Sequence, residues 1–309
     1  DGVLYGYMID IINRASELVI LAVGMTLVVS SSAGTDISVG AIMAVSAAVC
    51  CNILTGGERA ATAYANPLIL GFIAALVVGA AIGCFNGFLV SKLNIQPMVA
   101  TLIMFTAGRG IAQLITDGQI TYVRVDSYRV LGASFPGFPV PTPFIVAVLV
   151  VALTSLLLKK TALGMYIQSV GINKRASQLV GIKSVLIIFL TYAYCGLCSG
   201  LAGLIASSRI YSADANNIGL NMELDPILAV AIGGNSLGGG KFSLAGSVIG
   251  AFTIQALTTT LYAMHVSDQV PVYKAIVVVI IVALQSPGFA RWRKSLLQKK
   301  EIKAGKEAA

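Results

Sequence analysis

Few residues in this chain could do chemistry, and their spacing excludes most of what they would do. The run Gly238-Gly239-Gly240-Lys241 resembles the end of a phosphate-binding loop, in which backbone amides and a lysine cradle a nucleotide. That loop also needs a glycine where the chain has Asn235, and a serine or threonine where it has Phe242. No nucleotide site is therefore encoded here. Cys195 and Cys198 form a CxxC, yet they sit in an apolar run, as do Cys50, Cys51 and Cys84. There cysteine behaves as a small hydrophobe, and a single histidine, His265, cannot complete a metal set with them. No Ser/His/Asp set or paired buried carboxylates are present, which disfavours catalysis. Nor is there the chain of intramembrane Asp, Glu and His that a proton-coupled carrier uses.

The polar residues left lie in or beside apolar runs: Asp36, Asn86, Gln96, Thr101, Arg109, Gln113, Asn235 and Gln255. Together they are candidates for lining a path through a bilayer, because neutral amides are common readers of hydroxyl-bearing ligands. Each also has a plainer reading. Asp36, costly to bury, could cap a helix beginning near Ser38. Arg109 could snorkel to the interface rather than line a pore. The amides could serve interhelical hydrogen bonding.

The elements that position these residues are set by composition. The chain has 309 residues, is 57% hydrophobic and only 11% charged, with mean hydropathy +0.87. Such values point to an all-α, polytopic helical membrane protein. Apolar segments run over residues 14–32, 38–54, 67–90, 97–115, 142–158, 184–208, 226–233, 244–264 and 271–284, which predicts nine spans. Segment 226–233 falls far short of the roughly 20 residues of a full crossing, so half-helices are expected. Two glycine-rich breaks, residues 34–40 and 233–246, flank apolar helix; broken backbone at membrane depth persists where protein or a water-filled cavity satisfies it. Tight turns between helices would look the same.

Charge gives the orientation. Residues 159–183 carry five Lys/Arg and no acid, and seven more lie between Arg291 and Lys306. Clustered Lys/Arg stays cytoplasmic, so the net charge of +8 reflects topology and not nucleic-acid binding. Alternating the spans from a cytoplasmic central loop puts Lys92, Lys241 and the tail inside, 14 Lys/Arg in all. Outside fall Arg14, Arg59, Arg124, Arg129 and Arg209 with acids that include Asp117, Asp126, Asp214, Glu223, Asp225 and Asp268. The expected organisation is a permease-like membrane domain over 1–286 and a basic cytoplasmic tail over 287–309. Asp1 then lies outside, no signal peptide is visible, and the non-Met start suggests one further upstream span, ten in the intact protein.

Within the loop, Ala162, Met165, Tyr166, Ser169 and Val170 follow helical spacing and would present one apolar stripe outside the bilayer. Gly164, Gly171 and Gly181 mark breaks. The loop reads equally as a topological anchor and as a docking element for a cytoplasmic partner.

These residues resemble the permease subunit of bacterial ABC sugar importers of the ribose, xylose and galactose class, over nearly the whole chain. Residues 24–43, GMTLVVSSSAGTDISVGAIM, match a family element, with Ser32 and Ala33 where a glycine pair is usual. Residues 95–116, IQPMVATLIMFTAGRGIAQLIT, match a second, and 223–251, ELDPILAVAIGGNSLGGGKFSLAGSVIGA, a third. Residues 161–182 are similar to the family's cytoplasmic coupling segment, keeping Gly164, Gly171, Asn173, Ala176, Gly181 and Ile182. There Met165 stands for the usual arginine, and Ser169 and Ser177 for alanines. Within the class, NRASELVILAVGMTLV, KTALGMYIQSVGIN and SADANNIGLNMELD are closest to galactofuranose importer permeases.

The resemblance implies an inner-membrane pore made by two permease chains, alike or paralogous, with cytoplasmic ABC ATPases that hold ATP and Mg and a periplasmic sugar-binding protein. It implies no cofactor in this chain. Coupling to the ATPase would rest on Gly164, Tyr166, Gly171, Asn173 and Gly181. A branched-chain amino-acid permease of the same architecture and an ATP-independent secondary sugar carrier stay open.

Overall fold

The computed structural model describes residues 6–135, 139–264 and 269–285. His265, Asp268 and the basic tail lie outside the described residues. Twelve helices follow one another in the described chain. The first, α1 (Tyr7–Ser32), ends where Ala33 turns left-handed at φ 51° and returns its N–H to Val29. Then come α2 (Val39–Thr55), α3 (Leu68–Ser91), α4 (Pro97–Ile115), the short α5 (Asp126–Arg129) and α6 (Thr142–Lys160). Two small helices, α7 (Leu163–Ile172) and α8 (Lys174–Leu179), lead into α9 (Ser184–Ile210); α10 (Asp225–Ile232), α11 (Leu244–Ala263) and α12 (Val270–Gln285) complete the order. Prolines start several of them: Pro97, Pro143 and Pro226 occupy the first turn of α4, α6 and α10, where a missing N–H costs nothing.

Six described helices are long and apolar enough to cross a membrane: α1, α3, α4, α6, α9 and α11. The nine expected crossings exceed this number at the three shortest candidates. α2 has 17 residues, α12 has 16 and α10 only 8; at 1.5 Å per residue α10 rises about 12 Å, less than half a bilayer core.

α1 is the hub. Of its most apolar window 94% is buried inside the protein, against 17% for α6 and 22% for α3, so those outer helices turn apolar faces outward. α1 packs against α9, α6, α7 and α10, and α2 against α9, α4 and α3. The closest pair, α3 and α9, meet through glycines: a Cβ on Gly196 would lie 2.3 Å from the Gly79 carbonyl and 2.7 Å from Gly83 Cα. Small residues let backbones approach in this way where lipid offers no hydrophobic drive.

The fold is not purely helical. β1 (Ala60–Ala61), β2 (Thr121–Val123) and β3 (Ser212–Ala213) form a three-stranded sheet, β1 parallel and β3 antiparallel to the central β2. Strands this short leave no periodic signal in sequence. They tie three connecting loops together at the end of the molecule where Arg209 on α9 pairs with Glu17 on α1 at 2.8 Å. By internal packing the chain divides into residues 1–259 and 260–309; the second unit holds the end of α11 and α12.

Candidate functional site

The first cluster closes the break between α1 and α2. Asp36 is fully buried, and its Oδ1 accepts from the Ser38 backbone N–H at 2.9 Å and the Ser38 hydroxyl at 2.6 Å. That is an Asx-turn leading into α2. Asn86 on α3 donates to the Ser38 hydroxyl at 2.8 Å, and Thr101 on α4 accepts from the Ile37 N–H at 3.2 Å. Three of the path candidates, Asp36, Asn86 and Thr101, are thus brought together, all at 0% exposure. They tie the break to α3 and α4.

The second cluster pins the segment between β3 and α10. Arg109 on α4 donates to the carbonyls of Ile218 at 2.5 Å and Ala215 at 3.1 Å, and to Glu223 Oε1 at 3.0 Å. Beside it Gln113 donates to Asn216 Oδ1 at 2.6 Å. With side chains 14% and 8% exposed, Arg109 and Glu223 form a largely buried ion pair. Glu223 and Asp225, expected in an outer loop, are buried at 6% and 8% exposure. The segment descends between helices because Gly219 meets Gly40 at the start of α2. A Cβ on Gly40 would lie 2.3 Å from the Gly219 carbonyl, and Gly219 itself has φ +69°. Only glycine fits both the contact and that backbone.

The third cluster involves Asn235 in the glycine-rich loop. It donates to the Val230 carbonyl at 3.1 Å and the Ser247 hydroxyl at 2.8 Å and accepts from the Ser243 N–H at 2.5 Å, while Thr26 on α1 donates to Ser247 at 2.6 Å. Gln255 bonds only Thr259, one turn along its own helix. Gln96 is exposed at the N-cap position of α4 without a side-chain cap bond. Neither joins the other candidates.

The basic loop folds as α7 and α8. Gly171 touches both neighbours: a Cβ there would lie 1.7 Å from the Ser30 carbonyl and 2.6 Å from the Gly240 nitrogen, and Gly240 donates to that same carbonyl at 3.0 Å. α7, the last turn of α1 and the glycine-rich loop therefore meet backbone to backbone. Gly164 packs on the Leu158 carbonyl. Asn173 caps α8, accepting from the Ala176 N–H at 3.0 Å. Gly181 has φ +86° with nothing near it, so conformation and not packing demands glycine. The expected stripe is divided: Met165 and Tyr166 stay outward, while Val170 is buried with Gly164 and Ile167.

The strongest apolar exposure in the loop is elsewhere, at Leu179, 89% exposed, and Val180 and Ile172 are exposed too. Sequence reasoning missed these three, and also Ser38, Glu223 and Ser247. The signal for the hydrophobes was available: apolar residues next to Lys174 and Arg175 lie outside any span.

The cavity between α1, α6, α7 and α9, about 340 Å³, is lined mainly by apolar residues such as Leu27, Leu157, Leu163 and Ile187, with hydroxyls only from Thr154, Thr191 and Tyr194. A model of the branched-chain amino acid transport system / permease component family matches residues 7–284. The chain belongs to this permease family. Among its relatives are a galactofuranose transporter permease of Escherichia coli K12, 46% identical over 94% of this chain and 82% of the relative, and a fructose import permease of Bifidobacterium longum, 41% identical over 99% and 85%. A ribose import permease of E. coli K12 is 36% identical over 90% and 85%. No solved structure matches the permease significantly.

Proposed function

We propose that this permease forms, with a second permease chain, the membrane path of an ATP-driven importer for a monosaccharide of the galactofuranose, fructose or ribose kind. The observation that carries this reading is similarity along nearly the whole chain to permeases named for those sugars. A separate ABC ATPase would supply hydrolysis and a periplasmic binding protein the substrate, and the protein would sit in the bacterial inner membrane. On this reading α2, the pinned segment with α10, and α12 are three further crossings, nine in all, with α7 and α8 facing the cytoplasm.

ATPase closure would push on α7 and α8, whose exposed Met165, Tyr166, Leu179 and Val180 suit an apolar contact outside the bilayer. Gly171 passes the displacement to Ser30 and Gly240. From there it reaches the Asp36 break, and through Gly40 and Gly219 the Arg109–Glu223 pair. Helix bundles moving as rigid bodies around such junctions give alternating access.

The test is uptake of labelled sugars into vesicles holding the permease, its ATPase and its binding protein. Uptake that proceeds without ATP would mean a secondary carrier, and uptake of leucine in place of sugar an amino-acid permease. Orientation is checked separately: a cysteine at Arg175 should react only from the cytoplasm and one at Asn216 only from outside.

A further inference from the structure

Two cavities along α6 are unused by the translocation path, and they adjoin. One, about 550 Å³, lies between α6, α7 and the start of α11; its lining includes Lys159, Gln168 and Ser243. The other, about 310 Å³, lies between α1, α6 and α11 and is lined by residues such as Ala147, Val148 and Phe252. Val151 and Ser155 line both, so one groove follows α6 from Lys159 to Phe144. Fifteen helical steps make it about 22 Å long. Its polarity is graded: a cation, an amide and a hydroxyl at one end, then almost only hydrocarbon.

We propose that this groove binds one anionic phospholipid, its phosphate on Lys159 with Gln168 and Ser243, its acyl chain along α6. Length and charge favour this occupant. One leaflet with its headgroup layer is about 20–22 Å thick, and basic pockets between spans on the cytoplasmic side select anionic headgroups. Lys160, next along α6, and Lys241, next to the lining Phe242, add two further cations at the same end. Because α7 forms one wall through Gly164 and Met165, the bound lipid would brace the helix that the proposed ATPase pushes. The inference rests on the inward placement of Lys159 in the reading above.

Spin-labelled phosphatidylglycerol and phosphatidylcholine, each added to vesicles holding the assembled permease, read the site directly as the motionally restricted fraction. Phosphatidylglycerol should be preferred about fivefold per engaged lysine. Lys159→Glu should cut that preference by about an order of magnitude, and Val151→Trp, by filling the groove, should abolish the preference and leave only the unselective fraction of lipid around the protein. Equal restriction of the two lipids, or a preference that Lys159→Glu leaves intact, overturns the proposal; so does cross-linking of a cysteine at Val151 to another protein span, which would then be the occupant. These outcomes are independent of sugar uptake and of the labelling of Arg175 and Asn216, so failure of the lipid site and failure of the importer reading are distinguishable.

Discussion

The junction around Gly171 and the tether around Arg109 are held by opposite means. At Gly171 three backbones touch with no side chain between them: Ser30, Gly171 and Gly240. At Arg109 one guanidinium gathers carbonyls and a carboxylate over several ångströms. The first kind of contact is stiff and fails with any added atom, which suits transmission of a push. The second is directional and can be exchanged for other partners, which suits a gate that opens and recloses.

The largest effect should come from stiffening the contact past its limit. Gly171→Val places a Cβ 1.7 Å from the Ser30 carbonyl, so uptake and substrate-stimulated ATP hydrolysis by the complex should both fall more than tenfold. Unchanged rates would return the loop to a topological anchor. Next, Arg109→Ala leaves Glu223 buried and unpaired and should lower stability by about 3–5 kcal/mol, read as a drop in the unfolding midpoint of the purified chain. A second change, Glu223→Leu, should restore part of it. If the single variant is as stable as wild type, the pair is not a tether.

Smaller effects sharpen the contrast. Asn86→Leu removes one donor from the Ser38 hydroxyl, for a loss of about 1–3 kcal/mol; ATPase co-purification should be unaffected while uptake declines. Leu179→Asp should act the other way, sparing stability because the side chain is 89% exposed and weakening ATPase co-purification. Smallest is Gly181→Ala, where only the left-handed backbone objects, at about 1–2 kcal/mol. A loss as large as that of Gly171→Val would show packing where open space was seen.

How much was legible follows from the range of each interaction. The Arg14–Asp10 pair is one helical turn apart, the kind of spacing a sequence displays. Arg109 and Glu223 lie 114 residues apart, and nothing in either neighbourhood names the other. The apolar loop residues were missed although Lys174 and Arg175 mark their segment as lying outside a span: in a chain 57% hydrophobic, one more leucine draws no notice.

The sequence by itself determined the apolar segments long enough to cross, the clustering of Lys/Arg in the central loop and the positions of both glycine-rich breaks. All of these depend on composition and local spacing, because transfer into lipid and backbone freedom act on the chain nearest at hand. Tertiary structure alone decided that Asp36, Asn86 and Thr101 share one cluster and that Glu223 is buried on Arg109. It alone also decided that Gly171 touches Ser30 and Gly240 and that α6 carries a groove. Those choices depend on which helix faces meet, and inside a bilayer nearly every face is apolar enough to meet any other.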